Sequence, residues 1–211
     1  MNLRRVLLYN RGMKNQTLQD FSRLLSDKMG KESADWILQR ASKRYEELRE
    51  ENPNETKAVR AHTDKIYPVI GLYEALIQKG INPDQAVSYI DEGLAATAEV
   101  SAKQFQTILK FPGLYRLLPR IYHWMTVTNF GEKAGFKAKF YPTDSTRCKF
   151  DMTRCVYCEV FKKYGYPQLI SCFCHTDDIT SGNMHPKLKW NRTKTMGDGA
   201  DCCDFDIFIK K

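Results

Sequence analysis

Gly135-Phe-Lys-Ala-Lys-Phe-Tyr-Pro-Thr-Asp-Ser-Thr-Arg-Cys-Lys-Phe-Asp-Met152 is the stretch at which the grammar of the chain changes. Phe136, Ala138 and Phe140 alternate with Lys137, Lys139 and Tyr141, and alternation resumes over Lys149-Phe150-Asp151-Met152 after the turn-rich Pro142 to Thr146. A period of two is the spacing of a strand with one buried face, so the stretch predicts an antiparallel hairpin. A second hairpin is expected at the end, Lys187 to Thr195 pairing with Cys202 to Ile209 across a turn whose glycines, Gly197 and Gly199, permit positive φ. Between them Thr153 is placed to cap a helix from Cys155 to Tyr164, ended by Gly165. After Pro167 a shorter apolar helical segment carries Cys172 and Cys174 and gives way to a polar loop from Thr176 to His185.

Upstream the spacing is three to four. Thr17 and Asp20 have capping-box spacing ahead of Leu18, Phe21, Leu24, Leu25 and Met29, and Gly30 is placed to end that helix. A helix from Ser33 presents Ile37, Ala41, Tyr45 and Leu48, and one from about Thr56 to Lys79 is expected to kink or divide at Pro68. Asn82-Pro83 starts a helix through Val100. Another from Ser101 is interrupted at Phe111-Pro112-Gly113 and again at Pro119. The run from Leu114 to Met125, apolar and basic, suits burial against the protein better than a membrane surface, because two prolines oppose one long amphipathic helix. The prediction is an α+β fold: a helical N-terminal half, then a C-terminal antiparallel sheet of hairpins with one or two packed helices. It divides into an arm over 1–16, a helical region over 17–131 and an α+β region over 132–211, forming one continuous domain.

With 211 residues, 42% of them hydrophobic, the chain can build a core without disulfides. No segment has the roughly 20 apolar residues of a membrane span, and the N-terminal apolar run is too short for a signal peptide. A cytoplasmic protein with reduced thiols is expected, without membrane or nucleic-acid partners. The net charge of +8 falls mostly after residue 110 and is compatible with nucleic acid, an acidic membrane surface or a small anionic substrate.

Six of the seven cysteines and two of the four histidines lie between Cys155 and Phe205. Cys155 and Cys158 are a helical turn apart, with Cys155 near a helix N-terminus, where a thiolate is favoured. Cys172 and Cys174 diverge on a helix, and Cys174, next to Asp177-Asp178, is the better candidate. Cys202 and Cys203 face opposite sides of a strand; Cys203 shares the core side, whereas Cys202 shares a side with Asp204 and Asp206. Asp204 is a solvated strand carboxylate or a group that orients a catalytic neighbour. Arg192, Lys194 and Arg154 are candidates for holding a substrate carboxylate.

Cys155 with Phe161-Lys-Lys-Tyr-Gly165, then Phe173-Cys174 with Asp178, Trp190-Asn-Arg192-Thr-Lys-Thr195-Met-Gly-Asp-Gly199 and Cys203-Asp204-Phe205, resembles the bacterial L-2-amino-thiazoline-4-carboxylic acid hydrolase family. The likeness is close over the C-terminal third to half. It implies a hydrolase that opens a cyclic amidine, with Cys155, Cys174, Asp178, Cys203 and Asp204 at the site and Cys158, Cys172 and Cys202 as local extras. Expected chemistry is attack by a thiolate, Cys174 first among the candidates. Asp178 or Asp204 would polarise the amidine or handle protons, and Arg192, with Trp190 beside it, would hold the substrate. No cofactor is required. A more distant similarity, to the 4-vinyl reductase domain, implies instead a small-molecule-binding sensor in which Cys155, Cys174 and Cys203, with His175 or His185, hold zinc or iron. The helical half could also serve as a dimerisation platform, giving a homodimer.

Overall fold

The computed structural model describes residues 15–210. The arm expected over 1–16 lies outside them, apart from Asn15 and Gln16. Helices occupy the N-terminal half, and a four-stranded antiparallel sheet the C-terminal part, so the fold is α+β. The described residues gather into two compact units, one made of those up to Glu55 with Thr63–Gly93, the other of Thr56–His62 with the chain from Leu94 onward.

In the first unit α1 (Gln16–Met29) and α2 (Lys31–Glu51) pack through Leu18, Phe21, Leu25, Ile37, Leu38 and Leu48, all essentially inaccessible to water. Each such side chain contributes about 1.5–3 kcal/mol by burial. The cap of α1 is Asn15 and not the expected Thr17: its side-chain oxygen accepts the Thr17 N–H at 2.9 Å. Its amide donates at 2.8 Å to the carbonyl of Asp64. That carbonyl lies four residues before Pro68, whose missing N–H would otherwise leave it unpaired. With it satisfied, α3 (Lys57–Gln78) runs through Pro68 as one helix and does not divide. Gly71 meets α2 backbone to backbone, since a Cβ there would lie 2.6 Å from the Ala41 carbonyl oxygen.

α4 (Pro83–Leu109) is also unbroken where a division near Val100 was expected; Ser101 turns its hydroxyl back to the Thr97 carbonyl at 3.2 Å and stays helical. In the second unit Gly113, in the left-handed region, turns the chain into a 3-10 turn at Leu114–Leu117 and then α5 (Leu118–Asn129). Pro119 stands in the first turn of α5, so it starts that helix instead of interrupting one. The run expected to be buried is split: Tyr115 and Leu118 form a core with Leu109 of α4, Met184 and Leu188, whereas Leu117, Ile121 and Trp124 are open to solvent.

β1 (Lys137–Phe140) and β2 (Arg147–Arg154) form the first hairpin, β3 (Leu188–Asn191) and β4 (Cys203–Ile209) the second, and β2 pairs with β4 to give the order β1-β2-β4-β3. Phe150 stacks on Phe205 across that central pair at 4.9 Å. α6 (Val156–Lys163) and α7 (Ile170–Gly182) lie between the hairpins in sequence. No described helix is long and apolar enough to cross a membrane.

Asn15→Ala removes both the cap and the partner of the Asp64 carbonyl, and should lower unfolding stability by about 1–2 kcal/mol in urea titrations. Asn15→Asp keeps the cap acceptor but not the amide donor and should recover only part of that loss.

Candidate active site

Every expected site residue lies in the second unit, and the elements that carry them are set by local signals. β2 delivers the chain to Cys155, which is extended and occupies the N-cap of α6; Thr153, expected there, instead gives its hydroxyl to the Lys137 carbonyl at 3.2 Å. Cys158, one turn into the helix, is therefore beside Cys155. Their thiols hydrogen-bond, holding Cys158 below the usual thiol range and pushing Cys155 above it. Cys158 also feels the charges of Cys174 and Cys203. Cys158, expected to be a local extra, is thus electrostatically coupled to the other three thiols. Its turn-spacing from Cys155 was the available signal.

α7 continues to Gly182, so Asp177 and Asp178 are on the helix and not in a loop. They stand three and four residues beyond Cys174 and share its side of the helix. The Cys174 thiol is pulled down to about 7, first by a hydrogen bond from Cys203 and then, against its own burial, by the Thr195 hydroxyl and the charge of Arg192. Cys203 is pushed up by the same bond, and its sulfur accepts the Met196 N–H at 3.2 Å. The pair therefore favours the thiolate on Cys174 and the proton on Cys203. Thr195 also donates to Asp198 at 2.7 Å, so its single proton serves Asp198 or the thiolate, not both. Space here is tight: a Cβ on Gly197 would lie 2.9 Å from Cys174 Sγ.

Arg192 was expected to grip a substrate carboxylate. Its side chain is only 3% exposed, and its N–H groups donate to the Cys174 carbonyl at 2.8 Å, to Asp178 at 2.6 Å and to Asp177 at 3.3 Å. The guanidinium also lies over the Phe205 ring at 5.6 Å. Trp190 donates its indole N–H to Asp178 at 3.0 Å. Lost hydration pushes the Asp177 carboxyl up against the pull of Arg192, though 52% of the side chain is still open to water, which limits that rise.

Asp204 has both oxygens occupied. They accept the backbone N–H of Thr193 at 2.9 Å, that of Lys194 at 2.8 Å and the Thr193 hydroxyl at 2.6 Å. Burial raises its pKa, but these bonds outweigh it and hold the carboxyl below its usual range. They also end β3 at Asn191, short of the expected Thr195, because the N–H groups a longer strand would use are turned to Asp204.

A sequence profile described as L-2-amino-thiazoline-4-carboxylic acid hydrolase matches residues 64–207. The chain belongs to this family. The match begins within α3, well upstream of the motifs that first suggested the family, and it supports a hydrolase-type function. A search of curated proteins found no match. The likeness to the 4-vinyl reductase domain is not shown.

Cys172 is buried, and Cys202 is buried beside Lys194 and feels the charge of Asp151, the cross-strand partner of Asp204. His175 is exposed, and His185 stacks on Tyr115 at 4.5 Å. Among the described residues no group of three or more His, Cys, Asp and Glu side chains is arranged to hold a metal.

Because the folded pKa of Asp204 is depressed, its stabilisation is present above the ordinary carboxylate range near 4 and is lost as pH falls through the folded value. Asp204→Ala should therefore lower the melting temperature at pH 7, with a smaller difference from the parent in strong acid, as thermal melts across pH will show.

Proposed function

We propose that this chain opens a small cyclic amidine bearing a carboxylate at a carbon–nitrogen bond, with Cys174 as nucleophile. The observation that carries this reading is the Cys174–Cys203 pair: a half-buried thiol facing a more deeply buried one that donates to it, within reach of Arg192's charge and one turn from two half-exposed carboxylates. An amidine is protonated at neutral pH, so Asp178 and Asp177 supply the negative charge that draws it in, while the thiolate attacks its electron-poor carbon.

In the first step the Sγ–carbon bond forms, the ring carbon–nitrogen bond breaks, and its electron pair stays on nitrogen, which takes up a proton. Asp177, whose pKa is raised and which is open to water, is the group placed to hold and return that proton. In the second step water adds to the same carbon and gives a proton to the carboxylate. The carbon–sulfur bond then breaks, and Cys174 leaves as thiolate, again held by Cys203. Covalent capture replaces one hard hydrolysis by two easier steps.

Arg192 acts here as a positioning residue: it fixes the Cys174 backbone to both carboxylates and lends its charge to the thiolate and to an incoming carboxylate. Asp204 orders the turn after β3, and through it Thr195 and the Met196 N–H, so proton handling falls to Asp177 and Asp178. Cys155 and Cys158 form a second thiol pair behind the first.

With 2-amino-thiazoline-4-carboxylate as substrate, Cys174→Ser should lower kcat/KM at least about a thousandfold while circular dichroism is unchanged, and Asp178→Asn should lower it markedly. Full activity in both variants contradicts the proposal. In the parent, kcat/KM should rise as pH increases through about 7. Cys203→Ala removes the donor and should move that limb to higher pH, a displacement that a merely structural role for Cys203 would not produce.

A further inference from the structure

Eight of the nine large apolar side chains that the described residues leave exposed fall between Val100 and Val127, in the second unit. The residues of this stretch that do turn inward, Leu109, Tyr115 and Leu118, share one core with Met184 and Leu188. Away from that core stand Ile108 at 57%, Phe111 at 74%, Leu117 at 45%, Ile121 at 37%, Trp124 at 63% and Val127 at 53% exposure. On α5 Ile121, Trp124 and Val127 lie on one side at helical spacing, with Leu117 just before the helix; Val100 and Ile108 are on α4, and Phe111 stands two residues beyond its end. A concentration of exposed large apolar side chains in one stretch of chain points to a docking face.

The charge on this stretch selects what docks. From Val100 to Gly131 the chain contains no Asp or Glu, and its four formal charges, Lys103, Lys110, Arg116 and Arg120, are all positive and exposed. Lys103, 4.0 Å from Glu99, is on α4 and Lys110 follows its end, while Arg116 is in the 3-10 turn before α5 and Arg120 in the first turn of α5. A second copy of the same face would set cation against cation. Residues 1–14 of the chain carry three arginines and a lysine with no acid, so they are equally mismatched to it. An anionic lipid surface meets both requirements: the headgroups pair with the cations, and the apolar side chains, Trp124 and Phe111 among them, enter the boundary layer, where aromatic side chains are favoured. It needs no shape complementarity from the partner.

We propose that residues 100–127 form a peripheral docking face for an anionic membrane, lying on the bilayer and not crossing it. The expectation of no membrane partner, drawn from the absence of a spanning segment, does not bear on a helix that lies in the interface. The test is flotation of the full chain with vesicles of phosphatidylcholine alone and of phosphatidylcholine mixed with phosphatidylglycerol. Each cation near an anionic surface adds several-fold to binding, so the mixed vesicles should bind at least about tenfold more tightly, and added salt should weaken that binding. Arg116→Glu with Arg120→Glu should abolish the preference for mixed vesicles. Phe111→Ser with Trp124→Ser should weaken binding about tenfold, with ring opening of the thiazoline substrate unchanged in both double variants. The proposal is overturned by equal or absent binding to the two vesicle types, by binding that neither double variant alters, or by light scattering that shows the variants turning a dimer into a monomer, since a second copy would then cover the face.

Discussion

The Arg192 guanidinium is the contact on which the site depends. A charge this deeply enclosed is tolerated only when its N–H groups are fully engaged, and here they hold the Cys174 carbonyl and the carboxylates of Asp177 and Asp178. Arg192 follows β3, while its partners all lie on α7, so one side chain sets how the helix that carries the thiolate rests on the sheet. The arrangement also resolves an electrostatic conflict. Two adjacent carboxylates and a thiolate on one helical side would repel one another, and the guanidinium between them lowers the cost of keeping all three charged. Position and charge thus share a physical cause, and a residue expected to meet substrate instead ties α7 to the end of β3.

Around that contact the turn from Asn191 to Cys203 acts as a second support. Asp204 gathers Thr193 and Lys194, Thr195 caps the short turn that follows, and Met196 presents its N–H to Cys203. The result is a thiol whose lone pair is occupied and whose proton is aimed at Cys174. Gly197 is required less for its backbone freedom than for its missing Cβ, which would press on that sulfur. The hairpin connection therefore shapes the surroundings of Cys174 and is not only a link between strands.

Legibility in the sequence followed the range of the interaction. Both hairpins could be read, because alternation over Phe136 to Tyr141 and over Lys149 to Met152 is a local consequence of a pleated strand with one wet face. Places where the reading failed have non-local causes. Pro68 divides a helix only if its orphaned carbonyl stays unpaired, and the partner that prevents this, Asn15, lies far away in the chain. Asp177 and Asp178 look like loop residues because they are polar, yet an arginine from another element holds them on a helix. The run from Leu114 to Met125 carries enough apolar residues to be buried, and only packing decides that Leu118 turns inward while Leu117, Ile121 and Trp124 do not.

By itself the sequence determined the α+β plan, the family, and the chemical types at the site: thiols, carboxylates and one arginine at spacings that place Cys155 with Cys158, and Cys174 with Asp177 and Asp178, on common helical sides. These follow from backbone periodicity, which any stretch of chain expresses on its own. Only the tertiary structure decided that Cys203 from a strand meets Cys174 from a helix, that Cys158 is electrostatically coupled to them, and that Arg192 faces inward. The direction of a side chain about its own element is local, but which element it meets depends on how all of them bury their apolar faces together.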